Sequence, residues 1–257
     1  MDLSLLTTQT VLAFLLIVFR VSGMILSAPL MNGHSIPVLT KIGITLTIAF
    51  LFFPIVAMQL VVPRNLFTFC IVGAQELAIG LMIGFAANMV FVALQMAGEY
   101  ISYQMGLSVS NMVDPLSGVS VPTLGMLYYY FALLLFLSLN AHHILILAVQ
   151  NSFDVLPLGH WVTHGGQLAE RFITLSGEMF ATALVIVAPV MGLLLATEIS
   201  LGYMAKVMPQ MNIFMLGLPV KVGMGLIGLA VTIPYASDML THKYDTLYQH
   251  LLMLFGR

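Results

Sequence analysis

Residues 77–98 read LAIGLMIGFAANMVFVALQMAG and include no charged side chain. A helix needs about 20 predominantly apolar residues to cross the hydrocarbon core of a bilayer. Membrane β-strands alternate regularly between apolar and polar residues, which this stretch does not do, whereas a helix satisfies its backbone hydrogen bonds within one segment. The stretch therefore predicts a membrane-spanning helix.

Further apolar stretches lie on both sides of this one. The six predicted helical segments lie near residues 9–29, 40–62, 66–104, 122–149, 171–204 and 211–239. Pro54, Pro189 and Pro234 fall inside segments, where a proline frees a carbonyl and kinks the helix. The sequence thus predicts an all-α membrane protein of about six hydrophobic helical segments, several of them kinked or broken.

The composition of the whole chain also indicates a membrane protein. Of the 257 residues, 60% are hydrophobic and only 7% are charged, against about 25% charged residues in soluble domains. This balance argues against a soluble enzyme and excludes a disordered chain. The net charge of −2 leaves no basic stripe to neutralise phosphates, so no nucleic-acid partner is expected. A single cysteine, Cys70, can form no intrachain disulfide.

The two ends of the chain carry separate expectations. The first twenty residues lack a basic region and a small-residue cleavage site, so we expect them to be retained. No polar linker or short repeat divides the chain, which predicts a single domain over 1–257. From Asp238 onward apolar residues recur at helical spacing, which predicts an amphipathic tail over 238–257 that lies on a membrane surface or on a partner subunit.

Several charged residues are embedded in apolar surroundings, where each costs several kcal/mol or so unless it is paired or hydrated. These residues are Arg20, Glu76, Glu99, Glu178, Glu198 and Lys221. In one interpretation, some of them lie near segment ends and extend to the membrane surface, or form interhelical ion pairs. In the other, they are parts of an ion pathway. The sequence does not show which helix faces meet, so both interpretations stay open.

Small residues indicate helix packing. Gly80 and Gly84 form a GxxxG step, and further glycines, including Gly217, crowd the last apolar segment. Small side chains let helices approach closely in lipid. Packing within one chain and packing between chains are equally compatible with this pattern.

Motifs for catalysis are absent from the sequence. No HExxH, GxSxG or phosphate-binding loop occurs, and the adjacent His142 and His143 are expected to point to diverging faces of a helix. His160 and His164 fall in a predicted loop, which makes a metal pair a minor alternative. The chain is therefore predicted to be no enzyme and to bind no metal or cofactor.

The connection between the third and fourth segments, residues 104–122, is unusual. It is too long and turn-rich for a tight hairpin, yet too apolar for a free aqueous loop. Irregular backbone at membrane depth is tolerated where protein buries it or a cavity hydrates it. We interpret it as a loop that folds inward and occludes a pore; the alternative is a loop packed on a partner.

Taken together, these motifs resemble the FliR family of flagellar export-gate proteins, which is related to the SctT components of injectisomes. The resemblance rests on residues 20–23 (RVSG), 28–30 (APL) and 36–37 (IP); 104–106 (QMG) through 114–115 (DP); 140–143 (NAHH), 152–153 (SF) and 156–159 (LPLG); and 208–214 (MPQMNIF) through 217–221 (GLPVK). Ala141 departs from the pattern, because glycine is expected before the histidine. The stretches span nearly the whole chain in the expected order.

The resemblance implies a specific assembly. One subunit of this type would join FliP and FliQ in a helically arranged gate, with FlhB and also FlhA associated, through which unfolded flagellar proteins are exported. The gate would lie in the bacterial inner membrane within the flagellar basal body, partly projecting to the periplasmic side. The N-terminal part would resemble FliP and a hairpin over about 170–240 would resemble FliQ, with apolar surface buried by subunits as well as by lipid.

The resemblance also implies roles for individual residues. The loop from Met105 to Pro122 would form the pore plug, through Met105, Gly106, Asn111, Met112, Asp114, Pro115, Gly118 and Pro122. Subunit packing would involve Gly80, Gly84, Pro209, Asn212, Phe214, Gly217, Pro219 and Lys221. Two alternative functions remain at this point, an injectisome export-gate subunit and an ion-coupled transporter of small solutes that uses the embedded carboxylates.

Overall fold

The computed structural model of the chain describes residues 3–29, 31, 36–56, 65–107, 123–158, 165–210 and 212–254. Within these residues all regular secondary structure is helical, which confirms the predicted fold class. The helices there are α1 (Leu3–Ser27), α2 (Val38–Val56), α3 (Leu66–Gln104), α4 (Thr123–Ser138), α5 (Ala141–Val155), α6 (Gly165–Val207) and α7 (Ile213–Leu254).

The length and apolar composition of these helices suit a membrane. Five helices in the described part of the chain are long and apolar enough to cross a bilayer, and the number rises to six if α4 and α5 count as one bent span. The predicted segment 66–104 coincides with α3. Pro54, Pro189 and Pro234 lie inside helices, as predicted.

One predicted segment is broken. Within the predicted segment 122–149, α4 ends at Ser138, α5 begins at Ala141, and the two helices meet at an angle of 71°. The break occurs at Asn140, whose φ of 54° and ψ of 25° lie in the left-handed region. Asparagine tolerates this conformation better than most residues because its short polar side chain can hydrogen-bond locally. The apolar pattern continues across the break and therefore conceals it.

The last helix extends further than the hydrophobic pattern does. Helix α7 runs without interruption from Ile213 to Leu254, through Pro234 and past Asp238. The change from apolar to amphipathic composition at Asp238 is thus a change of side chains along one helix. The predicted tail begins inside a helix and has no separate start.

The described residues divide into two compact units. The first unit contains those within 1–89, 136–175 and 244–257. Here α1 packs on α2 and α5. Phe14 and Phe53 meet edge to face at 5.9 Å between ring centroids, and Phe52 and Phe153 do so at 6.0 Å, so aromatic contacts fill the core between these helices.

The second unit contains the described residues within 90–135 and 176–243. Its parts of α6 and α7, called here the 176–243 hairpin, run antiparallel. Gly217 faces Leu201 near the turn, and Gly228 faces Val190 farther from it. Higher residue numbers on α7 therefore face lower residue numbers on α6, as expected for antiparallel helices. Tyr128 on α4 and Thr232 on α7 share a buried hydrogen bond of 3.2 Å.

Candidate functional site

An arginine and a glutamate that the sequence singles out separately form one buried cluster in the first unit. Arg20 on α1 donates from Nε to Glu76 Oε2 on α3 at 2.5 Å. It also donates from Nη1 to Ser152 Oγ at 3.0 Å and from Nη2 to the Leu156 carbonyl at 2.9 Å. The guanidinium lies 4.2 Å from the centre of the Phe153 ring. We call these five residues the Arg20 cluster.

The Arg20 cluster joins three parts of the first unit: α1, α3, and the C-terminal end of α5 with the residue that follows it. The side chains of Arg20 and Glu76 are 0% and 3% exposed. A buried ion pair persists when hydrogen bonds satisfy its remaining donors and acceptors, and the fork of the guanidinium suits several acceptors at once. The cluster therefore neutralises its charges internally and can hold these elements in a fixed arrangement.

The GxxxG glycines lie beside this cluster. A methyl group at Gly80 would overlap the Arg20 carbonyl, and one at Gly84 would overlap Ser27 and the Met24 carbonyl. On α1, Gly23 is equally close to the α3 backbone at Leu77. These glycines permit close contact between α1 and α3 of the same chain.

Gly106 terminates α3 at its C-terminal end. The Gly106 N–H donates to the Tyr103 carbonyl at 3.0 Å, and the Leu107 N–H donates to the Ser102 carbonyl at 3.1 Å. Gly106 has a φ of 78°, a conformation that glycine adopts without steric cost. This pair of hydrogen bonds is the Schellman motif that closes a helix. The chain therefore leaves α3 in a defined direction.

Two predicted plug residues contact α7 in the second unit. Met105 is fully buried, and its side chain occupies the space where a Cβ at Gly225 would stand. A Cβ at Gly106 would come within 2.8 Å of Leu218 Cδ2. The other predicted plug residues, Asn111, Met112, Asp114, Pro115, Gly118 and Pro122, lie outside the described residues. The described start of the 105–122 loop is thus held against α7.

A second group of polar residues lies at the same C-terminal end of α3. Glu198 on α6 accepts a hydrogen bond from Lys221 Nζ on α7 at 2.8 Å. Its other oxygen, Oε2, accepts one from Gln104 Nε2 at 3.2 Å, and Gln104 is the last residue of α3. We call these three residues the Glu198 triad. Lys221, predicted as a subunit-packing residue, is here an ion-pair partner within the chain.

The other embedded carboxylates lie elsewhere in the second unit. Glu99 accepts a hydrogen bond of 3.0 Å from Gln95, one turn earlier on α3. Glu178 is partly buried near the start of the hairpin. The structure does not bring Glu99 and Glu178 into either polar group.

The remaining predicted packing residues lie at the turn of the hairpin and on α7. Pro209 is exposed in the turn, and Asn212, which directly precedes α7, accepts a hydrogen bond from the Met215 N–H through its backbone carbonyl at 3.1 Å. Gly217 is buried and faces α6, whereas Pro219 is exposed inside α7. Nothing is described of the Phe214 side chain. Pro209, Asn212 and Pro219 are exposed on the surface of this chain, where lipid or another protein can contact them.

Histidines form no recognised metal site in the described part of the chain. The His142 and His143 rings were expected to diverge, but their centroids lie 4.2 Å apart, so this prediction is wrong. The two residues follow the break at Asn140, where α5 is only beginning. His160 and His164 fall outside the described residues, within which no group of three or more candidate ligands occurs.

Sequence reasoning missed four residues that contact the candidate site. Ser152 and the Leu156 carbonyl lie far along the chain from Arg20, and Gln104 and Gly225 look like ordinary helix residues. The SF and LPLG stretches that support the family resemblance include Ser152 and Leu156, and this was the available signal. Gln104 falls in the QMG stretch that supports the same resemblance, whereas Gly225 has no comparable signal, because its contact depends on which helices meet.

Comparisons with known proteins cover nearly the whole chain. The sequence profile of bacterial export proteins, family 1, matches residues 11–247. Flagellar biosynthetic protein FliR of Bacillus subtilis is 33% identical over 85% of this chain and 85% of its own, and FliR of Escherichia coli is 31% identical over 90% and 88%. Yop proteins translocation protein T of Yersinia pestis is 27% identical over 85% and 81%. The chain therefore belongs to family 1 of the bacterial export proteins, in which it is similar to the flagellar FliR proteins.

Proposed function

We propose that the chain is a structural and pore-forming subunit of a flagellar type III protein export gate, located in the bacterial inner membrane as part of the flagellar basal body. The observation that carries this proposal is the similarity to proteins named FliR at 33% and 31% identity over most of both chains. The family match over residues 11–247 includes both polar groups and most of both compact units. The apolar helices and their embedded polar residues then serve assembly and gating, and no enzymatic role is proposed.

The exposed apolar surface supports partners of the FliP and FliQ type, with FlhB and FlhA associated. On α2, Val38 is 71%, Leu39 79% and Phe50 70% exposed. Exposed apolar side chains also follow α6 and α7. In a membrane assembly such surfaces meet lipid or other subunits, and van der Waals packing between helices then provides the specificity.

The 105–122 loop is proposed as the pore plug. Its start is rigid, because Met105 is buried against α7 and Gly106 closes α3. A plug needs a fixed base and an apolar body that can be displaced by a passing polypeptide. The residues from 107 to 122 are largely apolar and small, which suits reversible closure. In this proposal unfolded flagellar proteins displace the loop on their way out.

Coexpression with FliP- and FliQ-type subunits tests the proposed assembly. Native mass spectrometry of the detergent-purified protein should find one copy of this chain together with several copies of both partners. A chain that stays alone or self-associates while both partners are expressed would contradict the proposal. Transport of a small solute by the isolated chain in vesicles would favour the ion-coupled transporter instead.

Deletion of Ser110 to Ser117 tests the plug. The assembled gate with this deletion should pass small ions faster than the intact gate in vesicles. A matched variant replaces the same eight residues with an equal length of alternating glycine and serine, which keeps the loop length and removes the apolar side chains. Conductance at the level of the intact gate in both variants would rule out the loop as the plug.

An injectisome gate is the second candidate, because the similarity to Yop proteins translocation protein T covers 85% of the chain. The lower identity, 27% against 33%, favours the flagellar assignment. Expression in two deletion strains separates the two functions. Restored swimming in a strain lacking its own FliR supports the flagellar gate, whereas restored secretion only in an injectisome mutant supports the alternative.

A further inference from the structure

Helices α6 and α7 are 43 and 42 residues long, about twice the length that crosses a bilayer. Their exposed residues show which part of each helix suits the hydrocarbon core. From Val222 to Pro234 on α7, every residue is described and every exposed one is apolar. The same holds from Leu184 to Ala196 on α6. A continuous apolar surface of this length requires lipid or another protein as its neighbour.

Exposed tyrosines lie at both ends of this surface. Tyr203 on α6 is next to the turn of the hairpin, and Tyr235 on α7 is at the opposite end. A tyrosine ring combines an apolar body with a polar hydroxyl. For this reason tyrosines are enriched where a membrane-spanning helix passes through the headgroup layer. The two positions therefore suit the two surfaces of a bilayer.

The antiparallel packing of the two arms gives the heights of these tyrosines. Gly228 on α7 faces Val190 on α6. Tyr235 lies seven residues after Gly228 and Ala183 lies seven residues before Val190, so Tyr235 and Ala183 are at about the same height. Tyr203 follows Ala183 by 20 residues, a distance of about 30 Å along α6 at 1.5 Å per residue. This separation matches the thickness of the hydrocarbon core of a bilayer.

Another exposed tyrosine, Tyr130 on α4, lies close to the height of Tyr235. Tyr130 is two residues after Tyr128, whose hydroxyl shares a hydrogen bond with Thr232 on α7. Tyr235 is three residues after Thr232. Tyr130 and Tyr235 are thus both within one helical turn of the same contact. We call these two residues the far belt.

The end next to the turn also has a second exposed tyrosine, Tyr103 on α3. Tyr103 directly precedes Gln104, which donates to Glu198, and Glu198 lies five residues, about 8 Å, before Tyr203. We call Tyr103 and Tyr203 the near belt. Tyr100, one turn earlier on α3, is also exposed and lies between the two belts.

The charged residues of the hairpin follow the same limits. Lys206 lies three residues beyond Tyr203, Asp238 lies three residues beyond Tyr235, and both are exposed. Between the belts, the charged residues of the described hairpin are Glu198 and Lys221, which are bonded to each other at 2.8 Å. Both lie within about 9 Å of the height of Tyr203, a distance over which a lysine side chain can extend to the headgroup layer.

We propose that the near belt and the far belt lie at the two headgroup layers of the membrane, and that lipid acyl chains cover the exposed apolar residues between them. This inference rests on the membrane location in the proposed function and adds the depth of the second unit in the bilayer. A neighbouring subunit is the alternative occupant of this surface. Lipid is favoured because an interface between helices does not require tyrosines at the spacing of a bilayer. The hydrocarbon core then contains residues 183–203 of α6 and 215–235 of α7.

Tryptophan fluorescence measures this depth. The sequence contains one tryptophan, Trp161. In a Trp161→Phe background, a single tryptophan is placed either at a belt position, by Tyr203→Trp or Tyr235→Trp, or at a midpoint, by Leu195→Trp or Ile227→Trp. Leu195 and Ile227 each lie eight residues before the belt tyrosine of their helix, and their exposures of 48% and 57% are similar to the 47% of Tyr235. The full-length variants are reconstituted in vesicles of phosphatidylcholine that is brominated either next to the headgroup or near the end of the acyl chain.

The two classes of variant should respond in opposite ways. We expect bromine next to the headgroup to quench the belt variants about twofold more strongly than bromine near the chain end, and the midpoint variants to show the opposite ratio. Each class has one variant on α6 and one on α7, so the comparison does not depend on a single substitution. Thermal unfolding midpoints equal to that of the Trp161→Phe parent establish that the substitutions leave the fold intact.

Other outcomes would contradict the inference. Equal ratios at all four positions, or belt variants quenched best from the chain end, would show that the tyrosines do not mark the surfaces of the bilayer. Midpoint variants that neither lipid quenches would show that protein covers this surface. Flotation of the vesicles in a density gradient tests the membrane location separately. A chain that does not float with them contradicts both the location and the depth, whereas a chain that floats without the expected ratios contradicts the depth alone.

Discussion

Arg20 and Glu76 are 56 residues apart in the chain and form a hydrogen bond of 2.5 Å between buried side chains. The pair connects α1 to α3, and Ser152 and the Leu156 carbonyl accept further hydrogen bonds from Nη1 and Nη2 of the guanidinium. A charge that is paired in this way is poorly placed to exchange ions with water. The geometry therefore favours a role in holding the first unit together over a role in an ion pathway.

Removing one member of this pair should destabilise the protein strongly. We expect Arg20→Met or Glu76→Met to lower the free energy of unfolding by about 3–5 kcal/mol, because an uncompensated charge remains buried. The double variant should recover part of this loss, but not all of it, since the Leu156 carbonyl loses its donor. Denaturant unfolding in detergent, followed by circular dichroism, measures the three values. Additive losses in the double variant would show that the two side chains act independently.

The close contact of α1 and α3 predicts a second, purely steric effect. Gly80→Ala places a methyl group against the Arg20 carbonyl, so the helices must separate, at a cost of about 1–3 kcal/mol. Gly43→Ala on α2 is the matched control, because nothing lies within 4 Å of its Cβ position, and the higher helix propensity of alanine should stabilise it by about 0.5–1 kcal/mol. Thermal unfolding of both variants decides the comparison. A loss of similar size at both positions would contradict the contact.

The sequence predicts local features well and pairings poorly. The limits of α3 follow from a mostly apolar run that ends two residues before Gly106, and both signals are local. The bend after α4 was missed because apolar residues continue on both sides of Asn140 while the backbone changes its handedness at one residue. Glycine pairs such as Gly80 and Gly84 predicted close packing, but the spacing alone could not say that the partner helix is α1.

Pairings within the two polar groups, the Arg20 cluster and the Glu198 triad, were equally hard to predict from the sequence. Arg20, Glu76, Glu198 and Lys221 were recognisable as charges that need partners in apolar surroundings. Which charge pairs with which depends on the faces that meet, and the sequence does not specify them. Gln104 belongs to the QMG stretch of the resemblance, but that stretch does not indicate Glu198 as its partner.

The left-handed backbone at Asn140 leads to a prediction about substitutions at this position. Asn140 is the only non-glycine residue with positive φ in the described part of the chain. Asn140→Ala should cost about 1–2 kcal/mol, because a Cβ with no compensating polar group is disfavoured in the left-handed region, whereas Asn140→Gly should be close to neutral. Leu139→Ala, one residue earlier and without positive φ, controls for the loss of a side chain at the bend. Unfolding midpoints that rank alanine and glycine equally at position 140 would contradict this account.

The start of the 105–122 loop can be disturbed from the opposite helix. Gly225 on α7 faces Met105, whereas nothing lies within 4 Å of the Cβ position of Gly223, two residues earlier on the same helix. We expect Gly225→Ala to force the buried Met105 side chain from its place, which lowers stability by about 1–3 kcal/mol and raises ion leak through the assembled gate. Gly223→Ala should leave leak unchanged and stability equal or slightly higher. Thermal unfolding and vesicle conductance of the two variants measure both effects, and equal leak from them would mean that Met105 does not hold the base of the loop.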